Sequence, residues 1–154
     1  MNSQIGYPTL EDEEEVVLRT TSDEVRAVEP ILDASGLLFY QHLIRRIPVS
    51  RHVTGYAVDL VRGTRPDESN VGKFIRENVS WGAGPRASQA LILCAKTYAA
   101  LNGRINVSCN DVRHVALPVL RHRIAPSFTA EAEGIKTDTI VNQLLKEIPE
   151  RTHA

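Results

Sequence analysis

Apolar residues recur at spacings of three and four along most of the chain, and the breaks between these runs predict six helices. The first starts at Thr9-Leu10-Glu11-Asp12, a capping-box-like step in which Thr9 can accept the third helical N–H, and ends on Val16, Val17 and Leu18. Asp33 caps a second helix, whose Leu37, Leu38, Tyr40, His42, Leu43, Ile44 and Ile47 imply one buried face; Arg45 and Arg46 suit its C-terminal dipole, and Pro48 stops it. Val49-Ser50 opens a third, with Val53, Tyr56, Ala57, Leu60 and Val61 inward and its end at Arg62-Gly63. Thr64 to Asn70 is expected to be a mobile polar loop, and Phe74 and Ile75 to be short apolar anchors. From Pro85, the positions Ala87, Ala90, Leu91, Cys94, Ala95, Tyr98 and Leu101 make a fourth helix closed by Asn102-Gly103. Small residues permit close approach, so this helix belongs at the centre of a bundle. Val107-Ser108, with Asp111 three residues on, opens a fifth helix carrying Val112, Val115, Ala116, Val119 and Leu120. Pro118 should kink it near its middle, and Arg121-His122-Arg123 ends it. Thr137 is the expected cap of a sixth, with Ile140, Val141, Leu144, Leu145 and Ile148 inward and Pro149 as its stop. No segment reads as a strand. The fold class is therefore all-α, a bundle of about six helices.

Composition sharpens this reading without redirecting it. At 154 residues and 42% hydrophobic content the chain can bury one core. A net charge of −1 exerts no global pull toward nucleic acid or membrane. The block from Glu11 to Glu15 reads as a solvated helix start favoured by the macrodipole rather than as an acidic binding tail. No run approaches the roughly 18 apolar residues of a bilayer span, and the acidic start does not resemble a signal peptide. Cys94 and Cys109 suggest reduced thiols in a cytoplasmic setting, with a disulfide left open.

The chemistry concentrates in Trp81-Gly-Ala-Gly-Pro-Arg-Ala-Ser88, which ends a glycine-punctuated loop and starts the fourth helix. Pro85 fits the first helical position, Gly84 the N-cap, and Arg86 the first turn. A cation there opposes the positive end of the macrodipole, by about 0.3–1 kcal/mol, unless an anion is held jointly by the helix end and the guanidinium. The bland alternative is a solvated arginine whose stem covers Trp81. Elsewhere the chain lacks Gly-x-x-x-x-Gly-Lys-[Ser/Thr]: Gly72-Lys73 is followed by Phe74. His42, His52, His114, His122 and His153 form no zinc-like spacing with a cysteine, so no metal site is expected. His114 reads as a partly buried ring and His122 as a solvated helix-end cation. Neither cysteine has a local base pattern.

Several of these segments occur in one order elsewhere. Gly82-Ala83-Gly84-Pro85-Arg86-Ala87-Ser88, the alanine-rich helix, Val107-Ser108 to Asp111-Val112, Val119-Leu120-Arg121-His122-Arg123 and Ala130-Glu131-Ala132-Glu133-Gly134 resemble the C-terminal region of MoxR-type AAA+ ATPases. Upstream, Val49-Ser50, Leu60-Val61-Arg62-Gly63-Thr64-Arg65-Pro66 and Gly6-Tyr7-Pro8 resemble the same family, so the likeness runs from about Ile5 to Pro149.

The resemblance implies an AAA+ helical lid, with residues 1–8 as a residual core-to-lid hinge, 9–149 as the lid and 150–154 as a tail. It implies that the Walker motifs and arginine finger lie in an α/β core ahead of this region, and that the chain alone is folded but not an enzyme. Carried over residue by residue, Arg86 becomes the second-sensor arginine, contacting the γ-phosphate of ATP bound with magnesium; Pro85 and Gly84 form its helix start, and Tyr7 and Pro8 lie at the hinge near the adenine. The family often has serine where Gly84 stands, a departure costing only a few tenths of a kcal/mol at an N-cap. Implied partners are the ATPase core in cis, neighbouring subunits of a hexameric ring, and client proteins that include von Willebrand A-like domains, for chaperone-like maturation. The competing reading is a free-standing binding module for protein or nucleic acid, with Arg45, Arg46, Arg62, Arg65, Arg104, Arg121 and Arg123 as a basic face and residues 107–123 as a recognition helix. Pro118 and the absence of a basic balance count against nucleic acid.

Overall fold

The computed structural model describes residues 6–23 and 28–150. Ile5, His153 and the outer parts of the expected hinge and tail (residues 1–5 and 151–154) lie outside them. In chain order the elements are α1 (Leu10–Thr21), α2 (Ala34–Arg46), α3 (Arg51–Arg62), α4 (Lys73–Asn78), β1 (Val79–Trp81), α5 (Pro85–Leu101), α6 (Cys109–Leu120), β2 (Ala125–Pro126), α7 (Phe128–Ala132) and α8 (Thr137–Glu147). All six expected helices are present, and α4 and α7 add two short ones.

Local chemistry sets most boundaries. Thr9, Asp33, Ser50 and Ser108 each accept a backbone N–H three residues on, satisfying donors that a helix start otherwise leaves unpaired. Ser108 and Asp111 form a complete capping box. Gly103, past the end of α5, adopts φ +68°, which L side chains avoid. Two expected boundaries move. Lys136, not Thr137, is the N-cap of α8, and no side chain caps it. Pro118 lies in the last turn of α6, two residues from its end, rather than at mid-helix, so its missing N–H and ring disturb little of the hydrogen-bond ladder.

The core is built by α3, α5, α6 and α8. Val53, Tyr56, Ala57, Leu60 and Val61 are buried as their spacing predicts, as are Val112, Val115, Ala116, Val119 and Leu120. α5 packs on α6, α3 and α2 and buries Ala87, Leu91, Ala95 and Ala99 at intervals of four; Leu101 is exposed. Each fully buried Val or Leu contributes about 1.5–3 kcal/mol, so stability concentrates in these four helices. The Arg113 guanidinium on α6 ties three of them together, donating to the Tyr56 hydroxyl on α3 at 2.7 Å and to the Leu145 carbonyl on α8 at 2.9 Å.

The buried face expected on α2 is absent among the described residues: no α2 residue is buried, and Leu37, Leu38, Phe39, Tyr40 and Leu43 are exposed. α2 meets α5 near its C-terminal end, where Lys96 donates to the Arg45 carbonyl at 3.1 Å and Ile44 and Ile47 are half-buried. Val16, Val17 and Leu18 of α1 are likewise exposed. Periodicity specifies an apolar face but supplies no partner for it.

The structure also contains a strand pair that the pattern does not announce. β1 and β2 run antiparallel, with Val79 opposite Pro126, Trp81 opposite Ala125 and an irregular register between. Ser80 strengthens the pair by donating to the carbonyls of Ala125 (3.1 Å) and Pro126 (2.8 Å). This ribbon anchors the segment that leads into α5.

Candidate functional site

The start of α5 is held by the turn after α3. Thr64 is fully buried; its hydroxyl accepts the Ala83 N–H at 2.8 Å and donates to the Val61 carbonyl at 2.6 Å. Arg65 Nε donates to the Ala83 carbonyl at 3.1 Å, so both backbone polar groups of Ala83 are gripped. Gly82 is required by the closeness of the two segments, since an added Cβ would lie 2.5 Å from the Thr64 carbonyl oxygen and 2.7 Å from Arg65 Cα. The expectation of a mobile loop from Thr64 is thereby corrected: Thr64 is a buried tie. Further along, Glu68 accepts a bidentate pair from Arg62 at 3.0 and 2.7 Å, which draws its carboxyl below the usual range.

From this anchor the chain presents Gly84, Pro85 and Arg86 outward. Gly84 is the N-cap with no side-chain hydrogen bond, and Pro85 opens the helix, as predicted. Arg86 is exposed and forms no hydrogen bond or ion pair with any described residue. Pro85 borders two clefts. One, about 470 Å³, runs between Arg65-Pro66 and Trp81-Gly82; the other, about 790 Å³, lies between α3 and α5 and includes Arg45, Arg62 and Arg65. An unpaired guanidinium at the positive end of a helix suits an anion such as a terminal phosphate. Trp81 is 75% exposed. Tyr7 and Pro8 are exposed too.

The other arginines are mostly engaged. Arg104 makes a bidentate pair with Asp111 at 2.5 and 2.7 Å, and Arg121 pairs with Asp138 at 3.1 Å. Arg104 and the Ser108 N–H and hydroxyl together hold the buried Asp111 carboxyl down at about 2. Sequence reading placed Asp111 in a cap and Arg104 on a basic face; the ion pair joining them was missed. α6 buries seven of its twelve residues, which leaves little of it to enter a nucleic-acid groove.

Cys94 and Cys109 are both free. His114 is exposed rather than partly buried, with its ring stacked on Tyr98 at 4.0 Å. His122 is exposed at the end of α6, as expected, and desolvation and the adjacent Arg123 both lower its pKa. His52 and Cys109, 57 residues apart, meet near Glu150, and their ligand atoms lie within 4.8 Å of one another. Burial pushes the Cys109 thiol up to about 11, with Glu150 adding to the rise.

Comparison with known proteins agrees with this architecture. Residues 73–144, from the start of α4 to the penultimate turn of α8, match the AAA lid domain. Over 144 residues, 94% of this chain, identity to Chaperone MoxR1 of Mycobacterium tuberculosis is 32%, covering 38% of that protein. "Uncharacterized protein YeaC" of Bacillus subtilis is 28% identical over 146 residues, 94% of this chain and 43% of its own length. The crystal structure of a "putative ATPase" from Cytophaga hutchinsonii superposes with TM-score 0.79 at 30% identity, over 96% of this chain and 45% of that one. The chain thus resembles the AAA lid domain over residues 73–144 and Chaperone MoxR1 over nearly all its own length, and it spans about two fifths of the curated relatives it matches. Among the described residues, no helix is long and apolar enough to cross a membrane.

Proposed function

We propose that this chain is the nucleotide-sensing lid of a MoxR-type AAA+ ATPase, and that Arg86 is its sensor. The observation that carries the reading is Arg86 itself: an exposed, unpartnered cation in the first turn of a helix whose start is clamped by Thr64 and Arg65. An arginine so placed lowers the energy of charge developing on a γ-phosphate, and it ties lid closure to the presence of triphosphate. Arg86, with Pro85 and Gly84 behind it, would meet the terminal phosphate of magnesium-bound ATP, and Tyr7 and Pro8 would border the adenine at the hinge. Magnesium would offset phosphate charge; this chain's part is to orient one cation and to move with it.

The lid takes residues 9–149, with 1–8 as hinge and 150–154 as tail. Its packed part is α3 to α8. The uncovered apolar residues of α1 and α2 support docking on an ATPase core supplied by the same protein, within a hexameric ring. ATP hydrolysis belongs to that whole protein, and this chain by itself is expected to be inactive. Chaperone-like maturation of client proteins, including those with von Willebrand A-like domains, is the accompanying role, and two free thiols fit a cytoplasmic setting.

The test is Arg86→Ala in the full-length protein. ATP turnover should fall at least tenfold while the unfolding free energy stays within about 0.5 kcal/mol of wild type, as for an exposed residue. Wild-type turnover in that variant would sink the sensor role. A nucleic-acid reading would instead require binding that weakens steeply with salt.

A further inference from the structure

We propose that His52, Cys109 and Glu150 form a binding site for one zinc-class divalent cation, separate from and independent of the role given to Arg86. The three residues come from distant segments: His52 in the first turn of α3, Cys109 as the first residue of α6, and Glu150 beyond the end of α8. Their ligand atoms all lie within 4.8 Å of one another. Edges of a tetrahedral zinc site are about 3.3–3.8 Å, so closure takes about 1 Å of movement. Glu150 is exposed and beyond the last helix, and can supply it.

The donor set selects the metal. One sulfur, one imidazole nitrogen and one carboxylate oxygen suit a borderline-soft ion and suit magnesium or calcium poorly, since those take oxygen ligands. Three protein ligands leave a fourth position for water. Thiolate and carboxylate together neutralise a dication. Binding exchanges the Cys109 S–H bond for a sulfur–metal bond, and the proton leaves to solvent past Glu150, the hydrogen-bond partner of the thiol. Cys109 stands at a helix N-terminus, which works against the burial and the Glu150 charge that raise its pKa, and a bound cation would add to that effect. Arg113, one turn along α6, also favours the thiolate; as the cation that would repel a bound metal, it has its guanidinium engaged by Tyr56 and the Leu145 carbonyl. What sets this cluster apart from ordinary surface acids is the thiol, only 4% exposed, at its inner end. A bound ion would staple α3, α6 and the segment after α8 together.

The test uses the reduced, metal-free 154-residue chain titrated with Co²⁺ as a spectroscopic probe of zinc sites. One Co²⁺ per chain should bind, with a thiolate-to-cobalt charge-transfer band and tetrahedral d–d bands. Cys94→Ser should retain both; Cys109→Ser should abolish the charge-transfer band; His52→Ala and Glu150→Gln should each weaken binding at least tenfold. Zn²⁺ should raise the thermal midpoint of wild type and leave that of Cys109→Ser unmoved. Circular dichroism confirms that each variant is folded, and His52→Ala serves if Cys109→Ser is not. Absence of a saturable thiolate band in wild type, or its persistence in Cys109→Ser, or equal affinity in His52→Ala, overturns the site.

Discussion

The Thr64 hydroxyl and the Ala83 N–H are 2.8 Å apart, inside the protein and 19 residues apart in sequence. That bond joins the end of α3 to the start of α5. Because the same hydroxyl donates to the Val61 carbonyl, Thr64 uses both capacities of one oxygen to fix where α5 begins, and with it where Arg86 stands.

Thr64→Val keeps the shape and removes the acceptor, which strands the buried Ala83 N–H. An unsatisfied buried donor costs about 1–3 kcal/mol, so the urea midpoint should fall accordingly, while Thr64→Ser should recover most of the loss. An unchanged midpoint in Thr64→Val would show that the bond contributes nothing net.

Gly82→Ala forces the new Cβ against backbone atoms of Thr64 and Arg65 at 2.5–2.7 Å, where no side-chain rotation relieves the contact. Destabilisation of about 1–3 kcal/mol is expected from such overpacking. Under the proposed function, Gly82→Ala in the ATPase that carries this chain should also lower ATP turnover beyond its effect on folding, because it displaces the Arg86 helix start; a comparison with an equally destabilising α8 core variant separates the two effects.

Gly84→Ser should act in the opposite direction. The position has extended backbone, and an added Cβ would meet nothing within 4 Å. A serine N-cap there gains a few tenths of a kcal/mol, equivalent to roughly 1 °C in the thermal midpoint. Calorimetry of the two proteins checks it, and a lowered midpoint would contradict an uncapped start.

Asp111 makes stability depend on acid pH. Its carboxyl is held at about 2 in the folded protein, against an ordinary value near 3.8. A depressed folded value means stability fully present above pH ~4 and lost as pH falls from about 4 toward 2, amounting to about 2 kcal/mol. Asp111→Asn should therefore be less stable at pH 7 and show a flatter acid limb in that window. Arg104→Ala should bring a similar flattening, since Arg104 is the largest cause of the shift.

Much of the fold was legible in the order of its residues. The core faces of α3 and α6, the caps at Thr9, Asp33, Ser50 and Ser108, and the Gly84-Pro85 start of α5 are short-range features: helix period and cap chemistry act within about four residues, so composition at those positions decides them. The ordered motifs around Thr64 and Arg86 carried the resemblance. They did not show that the two motifs touch, nor that Gly82 exists to let them.

What tertiary structure alone decided are relationships between distant segments. The β1–β2 ribbon pairs three residues with two across more than 40 positions, too short to leave an alternating pattern. The amphipathic stripe of α2 looked like any buried stripe, and only the packed bundle shows it uncovered. The pairing of Arg104 with Asp111 and the meeting of His52, Cys109 and Glu150 depend on where loops return the chain, which no local spacing encodes. Local sequence determined which helices form and which face each offers; packing decided which faces are covered and which polar groups meet, because burial and hydrogen bonding reward proximity in space rather than in sequence.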